Sequence, residues 1–282
     1  MKWNKEQTPV PENYYILPED KVMNWIDYDF ILIQSKFWQY QVSRQILENI
    51  KIPTIVLEHT LPTPQTLSEE QIDSMRDMLG DTNVFISEYS KDEWQISNNA
   101  MVIHDGVDTE TFRPIEVEKN NYALTVANNF KNRDYCLNYK GWQNVTKDID
   151  TKLIGKDNGE DVKSCKDTEE LVKEYNSCSV YLNTTTLSPI PMSLLEAMAC
   201  GCAVVSTATC MIPEVIDNGV NGYISNDESE LSSYIKKLLS DETLRKEMGS
   251  RARETIKEKF SETKFIENWN NLFNKTYEEK TK

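Results

Sequence analysis

The stretch Ser188-Pro189-Ile190-Pro191-Met192-Ser193-Leu194-Leu195-Glu196-Ala197-Met198-Ala199-Cys200-Gly201-Cys202-Ala203-Val204-Val205-Ser206-Thr207 decides how this chain folds. The apolar run before it, Ser179-Val180-Tyr181-Leu182, reads as a buried strand, and Asn183 to Thr186 as a polar loop. Pro191 suits the first turn of a helix, Gly201 closes that helix, and Cys202 to Thr207 forms the next strand. The unit is strand, loop, short helix, strand. Pro191 has no N–H of its own, so the free amides of Met192 and Ser193 face the loop with the helix dipole behind them. That arrangement favours an anion, and phosphate is the usual one. Glu196 follows one turn in, beside the small residues Ala197, Ala199 and Cys200. A carboxylate there can accept hydrogen bonds from a sugar diol, or be no more than a solvated helix glutamate.

Leu194 to Gly201 with Ala203 to Thr207, then Ile212-Pro213-Glu214-Val215-Ile216 and Asn218-Gly219-Val220-Asn221-Gly222, resembles the donor-site signature of family 4 retaining glycosyltransferases. The resemblance implies the GT-B architecture, an α/β fold of two Rossmann-like domains whose parallel sheets face a central cleft. In the family, two glutamates eight positions apart frame the signature; the second matches Glu196 and implies contact with the ribose of a nucleotide sugar. The first position, which faces the donor sugar in the family, is occupied here by Ser188.

Composition bounds what else the chain can be. At 282 residues, 39% of them apolar, it can bury one large core or two modest ones, and no apolar run reaches membrane-spanning length. Met1 to Pro18 lacks a basic start followed by an apolar core, so no secretory signal is read and a cytoplasmic location is expected. Six cysteines without a C-x-x-C pair, beside only His59 and His104, read as reduced thiols and give no metal site. A net charge of −15 argues against general affinity for nucleic acid or anionic membrane, because phosphate contacts need clustered Lys and Arg.

In the first half, Asp29 to Ile33 reads as a strand, Lys36 to Ile50 as a helix and Pro53 to Leu57 as a second strand, a βαβ unit that requires a parallel sheet. His59 follows the second strand at the carboxyl edge, where open α/β sheets bind ligands. The resemblance places a histidine there facing the cleft, close to the transferred sugar. A helix from Ser68 to Leu79, a strand from Asn83 to Ser87, a helix from Lys91 to Ser97 and a short strand from Ala100 to Ile103 follow. His104-Asp105-Gly106-Val107-Asp108 breaks the pattern and marks the domain boundary, with His104 either lining the cleft or, the favoured reading, stabilising the hinge. The expected domains are 1–107 on the acceptor side, 108–260 for the nucleotide sugar, and 261–282 as a terminal helix crossing back. The first of these reads as short for the family, with the strand and glycine-rich loop that usually open it expected to be missing.

The second half restarts with a strand from Tyr122 to Ala127, a loop from Asn128 to Tyr139, and Lys140-Gly141-Trp142. The resemblance implies two cations directed to the donor diphosphate. Lys140 fits the second, while Asn128 occupies the first and Lys131 or Arg133 can supply its charge. A leaving diphosphate needs such partners because it gains charge as the glycosidic bond breaks. A strand from Thr151 to Gly155 and a helix from Asp167 to Asn176 come next, and the nucleobase is expected near Ser164-Cys165-Lys166. The chain is then helical from Ser229 to Lys259, and Phe265, Trp269, Leu272 and Phe273 give a last helix one apolar face suited to core packing.

The function expected from all this is a retaining, metal-independent transfer of a sugar from a nucleotide diphosphate sugar to an acceptor hydroxyl, with a saccharide or lipid-linked acceptor and no cofactor. His59 and Ser188 are the candidate catalytic positions. Lys131, Arg133, Lys140, Pro191, Met192, Ser193 and Glu196 are the candidate donor-binding ones. A nucleotide-sugar-binding protein weakened in catalysis, prompted by Ser188, and a sugar-nucleotide epimerase are the alternatives.

Overall fold

The computed structural model describes residues 28–34, 52–63, 67–77 and 79–280. The helix expected from Lys36 to Ile50, and the segment before Asp27, lie outside the described residues. The first sheet contains β1 (Ile31–Gln34), β2 (Thr54–Glu58), β3 (Thr82–Phe85) and β4 (Ala100–Val102), all parallel and in sequential order. Helix α1 (Glu69–Arg76) opens with a reciprocal cap in which Ser68 and Gln71 bond each other's backbone amides. Helix α2 (Glu88–Trp94) begins ahead of the expected Lys91, because Ser87 and Ser90 build the same reciprocal cap from two hydroxyls. Gln95, left-handed at φ 55°, ends it before the expected Ser97.

The second sheet has five parallel strands, β5 (Asn120–Val126), β6 (Thr151–Ile154), β7 (Cys178–Asn183), β8 (Ala203–Ser206) and β9 (Tyr223–Ile224), in the order β6-β5-β7-β8-β9. The span expected as a loop after β5 is partly helical: a 3-10 turn at Lys131–Arg133, α3 (Asp134–Leu137) and α4 (Tyr139–Val145). Asn138, left-handed at φ 58°, ends α3 and accepts the Gly141 amide to cap α4. Helices α5 (Thr168–Ser177), α6 (Met192–Ala199) and α7 (Ile212–Val215) follow. The helical span from Ser229 to Lys259 is two helices, α8 (Glu228–Ser240) and α9 (Glu242–Lys259). Asp241 divides them, its backbone extended at φ −125° and its carboxylate capping the Leu244 amide.

Both faces of this sheet are covered, which is why its central strands read as continuous apolar runs. Val180 and Leu182 of β7 point toward Leu231, Ile235 and Leu238 of α8, while Tyr181 between them joins the core of α5, α6 and α9. That second core continues through Ile55, Val84 and Ile103 of the first sheet's domain, so the two domains share apolar packing.

The chain crosses between the domains twice, side by side. The Val107 N–H donates to the Phe260 carbonyl at 2.8 Å, and the Glu262 N–H donates to the Val107 carbonyl at 2.9 Å. Helix α10 (Glu262–Lys280) starts at that crossing and stacks Phe273 on Phe30, with ring centroids 4.9 Å apart. Trp269 and Leu272 are buried in the same core, as the apolar spacing of this helix predicts. Gly106 lets α10 approach: a Cβ there would stand 2.7 Å from Phe265 Cβ and 3.0 Å from Glu262 Cα. Neither contact is the movable tip of a side chain, so the helix start itself must shift. Gly106→Ala is expected to lower unfolding stability by about 1–3 kcal/mol in urea titrations; an unchanged midpoint would show that α10 is not held this closely.

Candidate functional site

The strand order of the second sheet reverses at β5, so the connections leaving β5 and β7 part to opposite faces and open a crevice at the strands' carboxyl ends. A cavity of about 490 Å³ lies there. Its walls are the ends of β5, β6 and β7 and the start of α6, including Asn128, Arg133, Lys156, Ser188, Ser193 and Glu196.

Pro191 is the cap residue rather than the first residue of α6, and it supplies no side-chain hydrogen bond to the helix start. The amides of Met192 and Ser193 therefore open the helix without an acceptor in a preceding turn. Ser193 is held from two sides: it accepts from the Tyr181 hydroxyl at 2.8 Å and donates to the Val126 carbonyl at 3.3 Å. Its hydroxyl is thereby committed to joining α6 to β5 and β7, and its backbone N–H is the group left to the cavity. Glu196 is half-buried, and Tyr175, fully buried on α5, donates its hydroxyl to Glu196 Oε2 at 2.7 Å. Burial raises the Glu196 carboxyl above the usual carboxylate range, with the Tyr175 bond opposing the shift. A carboxylate fixed at one oxygen is thus presented to the cavity in a single orientation.

The opposite wall is tied together by asparagines. Asn128 Oδ1 accepts the Lys156 amide at 2.8 Å, so the residue standing at the family's first cation position joins the loops after β5 and β6. Asn158 donates to the Ala127 carbonyl at 2.7 Å and accepts the Phe130 amide at 2.7 Å. Gly155 sits at φ +144°, and a Cβ there would lie 1.9 Å from the Ala127 carbonyl oxygen, so no other residue fits between these loops. Two cations reach the cavity wall, Arg133 and Lys156. Lys156 is not among the residues expected from the sequence, although it follows β6 at the carboxyl edge of the second sheet as His59 follows β2 in the first. Lys131 is exposed in its 3-10 turn, and the Lys140 side chain is 82% exposed and 3.6 Å from Asp134; neither lines the cavity.

Ser188 does line it, on a loop anchored where the Thr186 and Leu187 amides donate to the Cys136 carbonyl at 2.8 and 3.1 Å. His59 stands apart, half-buried at the end of β2 in the other domain. Burial pushes the Asp105 carboxyl above the usual carboxylate range, with His59 and His104 opposing the shift. His104 lies at the crossing, with Nδ1 2.9 Å from the Ile86 carbonyl and its ring 4.9 Å from Phe260. Among the described residues, no group of three or more His, Cys, Asp or Glu could hold a metal ion, and no helix is long and apolar enough to cross a membrane.

Residues 113–255 match the family model described as glycosyl transferases group 1. The chain belongs to this family. The match covers the whole second sheet and α5 to α8, which is the part that builds the cavity. Over 82 residues this group 1 chain is 39% identical to N-acetyl-alpha-D-glucosaminyl L-malate synthase of Bacillus anthracis, a stretch that is 28% of this chain and 22% of that protein. The matched stretches span 17–57% of the length of the curated relatives. The fold extends further. Sucrose-phosphate synthase of Thermosynechococcus elongatus superposes with a TM-score of 0.76 at 14% identity, covering 89% of this chain and 74% of that one. HepE of Anabaena in complex with UDP-glucose gives 0.72 at 16% identity, covering 89% and 80%. The group 1 chain thus has the GT-B arrangement expected from its sequence, two α/β domains with parallel sheets.

The Tyr175–Glu196 bond separates two substitutions at the same site. Glu196→Ala leaves a buried hydroxyl without its acceptor and is expected to cost about 1–3 kcal/mol in chemical unfolding, whereas Glu196→Gln keeps an acceptor and costs less. Equal losses in the two variants would mean that the carboxylate charge, not the hydrogen bond, sets the stability of this wall.

Proposed function

We propose that this protein is a glycosyltransferase that takes its sugar from a nucleotide diphosphate sugar bound in the cavity at the β5–β7 crevice. The observation that carries the reading is one juxtaposition: the open amides at the start of α6 beside a carboxylate held by Tyr175, in a cavity with Arg133 and Lys156 on its wall. Amides and cations suit a diphosphate, and an oriented carboxylate suits the two hydroxyls of a ribose. HepE, one of the proteins of like fold, holds UDP-glucose in its crystal structure, which supports a hexose donor. In this proposal Met192 and Ser193 bind phosphate through their N–H groups after Pro191, and Glu196 binds ribose. Arg133 and Lys156 meet the charge that develops on the leaving diphosphate, while Lys131 and Lys140 add positive potential from outside the cavity.

The finer parts of the proposal rest on the family resemblance. The divisions at 107/108 and 260/261 separate an acceptor side from a donor side, and His59 is the acceptor-side group brought toward the transferred sugar. Transfer proceeds with retention by front-face attack assisted by the leaving phosphate, without a metal ion, onto a saccharide or lipid-linked hydroxyl. Ser188, in the cavity wall at the family's first glutamate position, favours one second reading: a protein that binds the donor but turns it over weakly.

A panel of UDP-, GDP- and ADP-sugars, with and without a chelator, tests this by thermal shift and by release of nucleotide diphosphate. One nucleotide series should stabilise the protein regardless of chelator and be consumed with acceptor; Arg133→Ala or Lys156→Ala should weaken its binding about tenfold. Stabilisation without consumption would favour the binding-protein reading, and no stabilisation by any donor would remove the site. The raised Glu196 pKa gives a signed pH dependence. Ribose hydroxyls favour the carboxylate form, so binding releases a proton, and affinity should fall as pH falls through that raised pKa. Glu196→Gln should bind more weakly at neutral pH and show no such fall.

A further inference from the structure

The first turn of α2 is held from the opposite domain. Glu214, on α7, accepts the Tyr89 amide at 2.7 Å and the Glu88 amide at 3.1 Å, one on each carboxylate oxygen. Glu88 and Tyr89 are the first two residues of α2, and such residues have no acceptor within their own helix. Two charge-assisted hydrogen bonds therefore span the domains, and they exist only while the domains stand together.

Tyr89 is itself half-buried there, and burial, with Cys210 and Glu93 adding to it, pushes its pKa up to about 12. Cys210, left-handed at φ 51°, donates its thiol toward the Thr186 carbonyl at 3.6 Å. Thr186 and Ser188 belong to the loop that walls the donor cavity.

We infer that Glu214 is a positioning residue, a clasp that fixes the first domain over the donor cavity. The inference rests on the donor reading above for its kinetic consequence, not for its structural one. The cavity is built by the second domain alone, so donor binding does not need the clasp. Transfer does, because the acceptor side must be held against the donor and water kept out.

The experiment uses the full chain with Glu214→Ala, Glu88→Pro and Glu88→Ala. Proline at the first helical position keeps α2 while deleting one of the two donors, and Ser87, at φ −154° and ψ 158°, already has the backbone a following proline requires. Glu88→Ala keeps the donor and is the control. Hydrogen exchange at the Tyr89 amide should be about tenfold faster or more in Glu214→Ala than in the wild type, and unchanged in Glu88→Ala. Turnover should fall about tenfold or more in Glu214→Ala and less in Glu88→Pro, with donor Kd changed by less than about threefold in both. Unchanged exchange with unchanged turnover would overturn the clasp. Donor affinity falling in step with turnover would also overturn it, since Glu214 would then act in the cavity. If the wild type releases nucleotide from no donor, the proposed function fails instead, and the exchange measurement alone decides the clasp.

Discussion

A parallel sheet that grows in both directions from one strand has to leave a gap at that strand. Right-handed crossovers send the connection after β5 to one face and the connection after β7 to the other, which opens a crevice at their carboxyl ends. Everything proposed for this chain depends on that gap. The sheet supplies a crevice, the start of α6 supplies amides pointing into it, and Tyr175 on α5 supplies the bond that turns Glu196 toward it. None of these groups is a site by itself. Their convergence within one cavity, on elements buried on both faces of the sheet, gives the arrangement its chemical meaning.

The physical economy of the site lies in where its polar groups are already committed. Ser193 and Thr125 have their hydroxyls engaged with carbonyls of neighbouring strands, and Asn128 and Asn158 lace the loops after β5 and β6. These bonds fix the wall before any ligand arrives, which lowers the ordering cost of binding a flexible diphosphate. What they leave uncommitted is the backbone N–H groups of α6 and the cationic side chains of Arg133 and Lys156. The net charge of −15 makes this local positive wall the more selective, because it stands within an acidic molecule.

The architecture was legible because it is written in long-range periodicity: apolar runs for β7 and β8, and a Pro191-to-Gly201 frame for α6. Glu196 was legible from its place on that frame. The misplaced elements share one cause, the use of unremarkable residues in special backbone roles. Gln95 and Asn138 take left-handed conformations where glycine would have signalled a helix end, Ser90 completes a cap where glutamate or glutamine is usual, and Asp241 splits an otherwise continuous helical span. The Tyr175 hold on Glu196 is not legible in the sequence, because a hydrogen bond between side chains 21 positions apart leaves no local pattern. The hold of Glu214 on α2 is of the same kind, spanning 125 positions and visible only once the domains are placed together.

The most direct measurement of the central claim is a crystal structure with a nucleotide diphosphate sugar bound. The account predicts the diphosphate at the Met192 and Ser193 amides, with a ribose hydroxyl on Glu196 and Tyr175 still bonded to its other oxygen. A nucleotide seated against the first sheet, or in the second domain with Glu196 uninvolved, would contradict it.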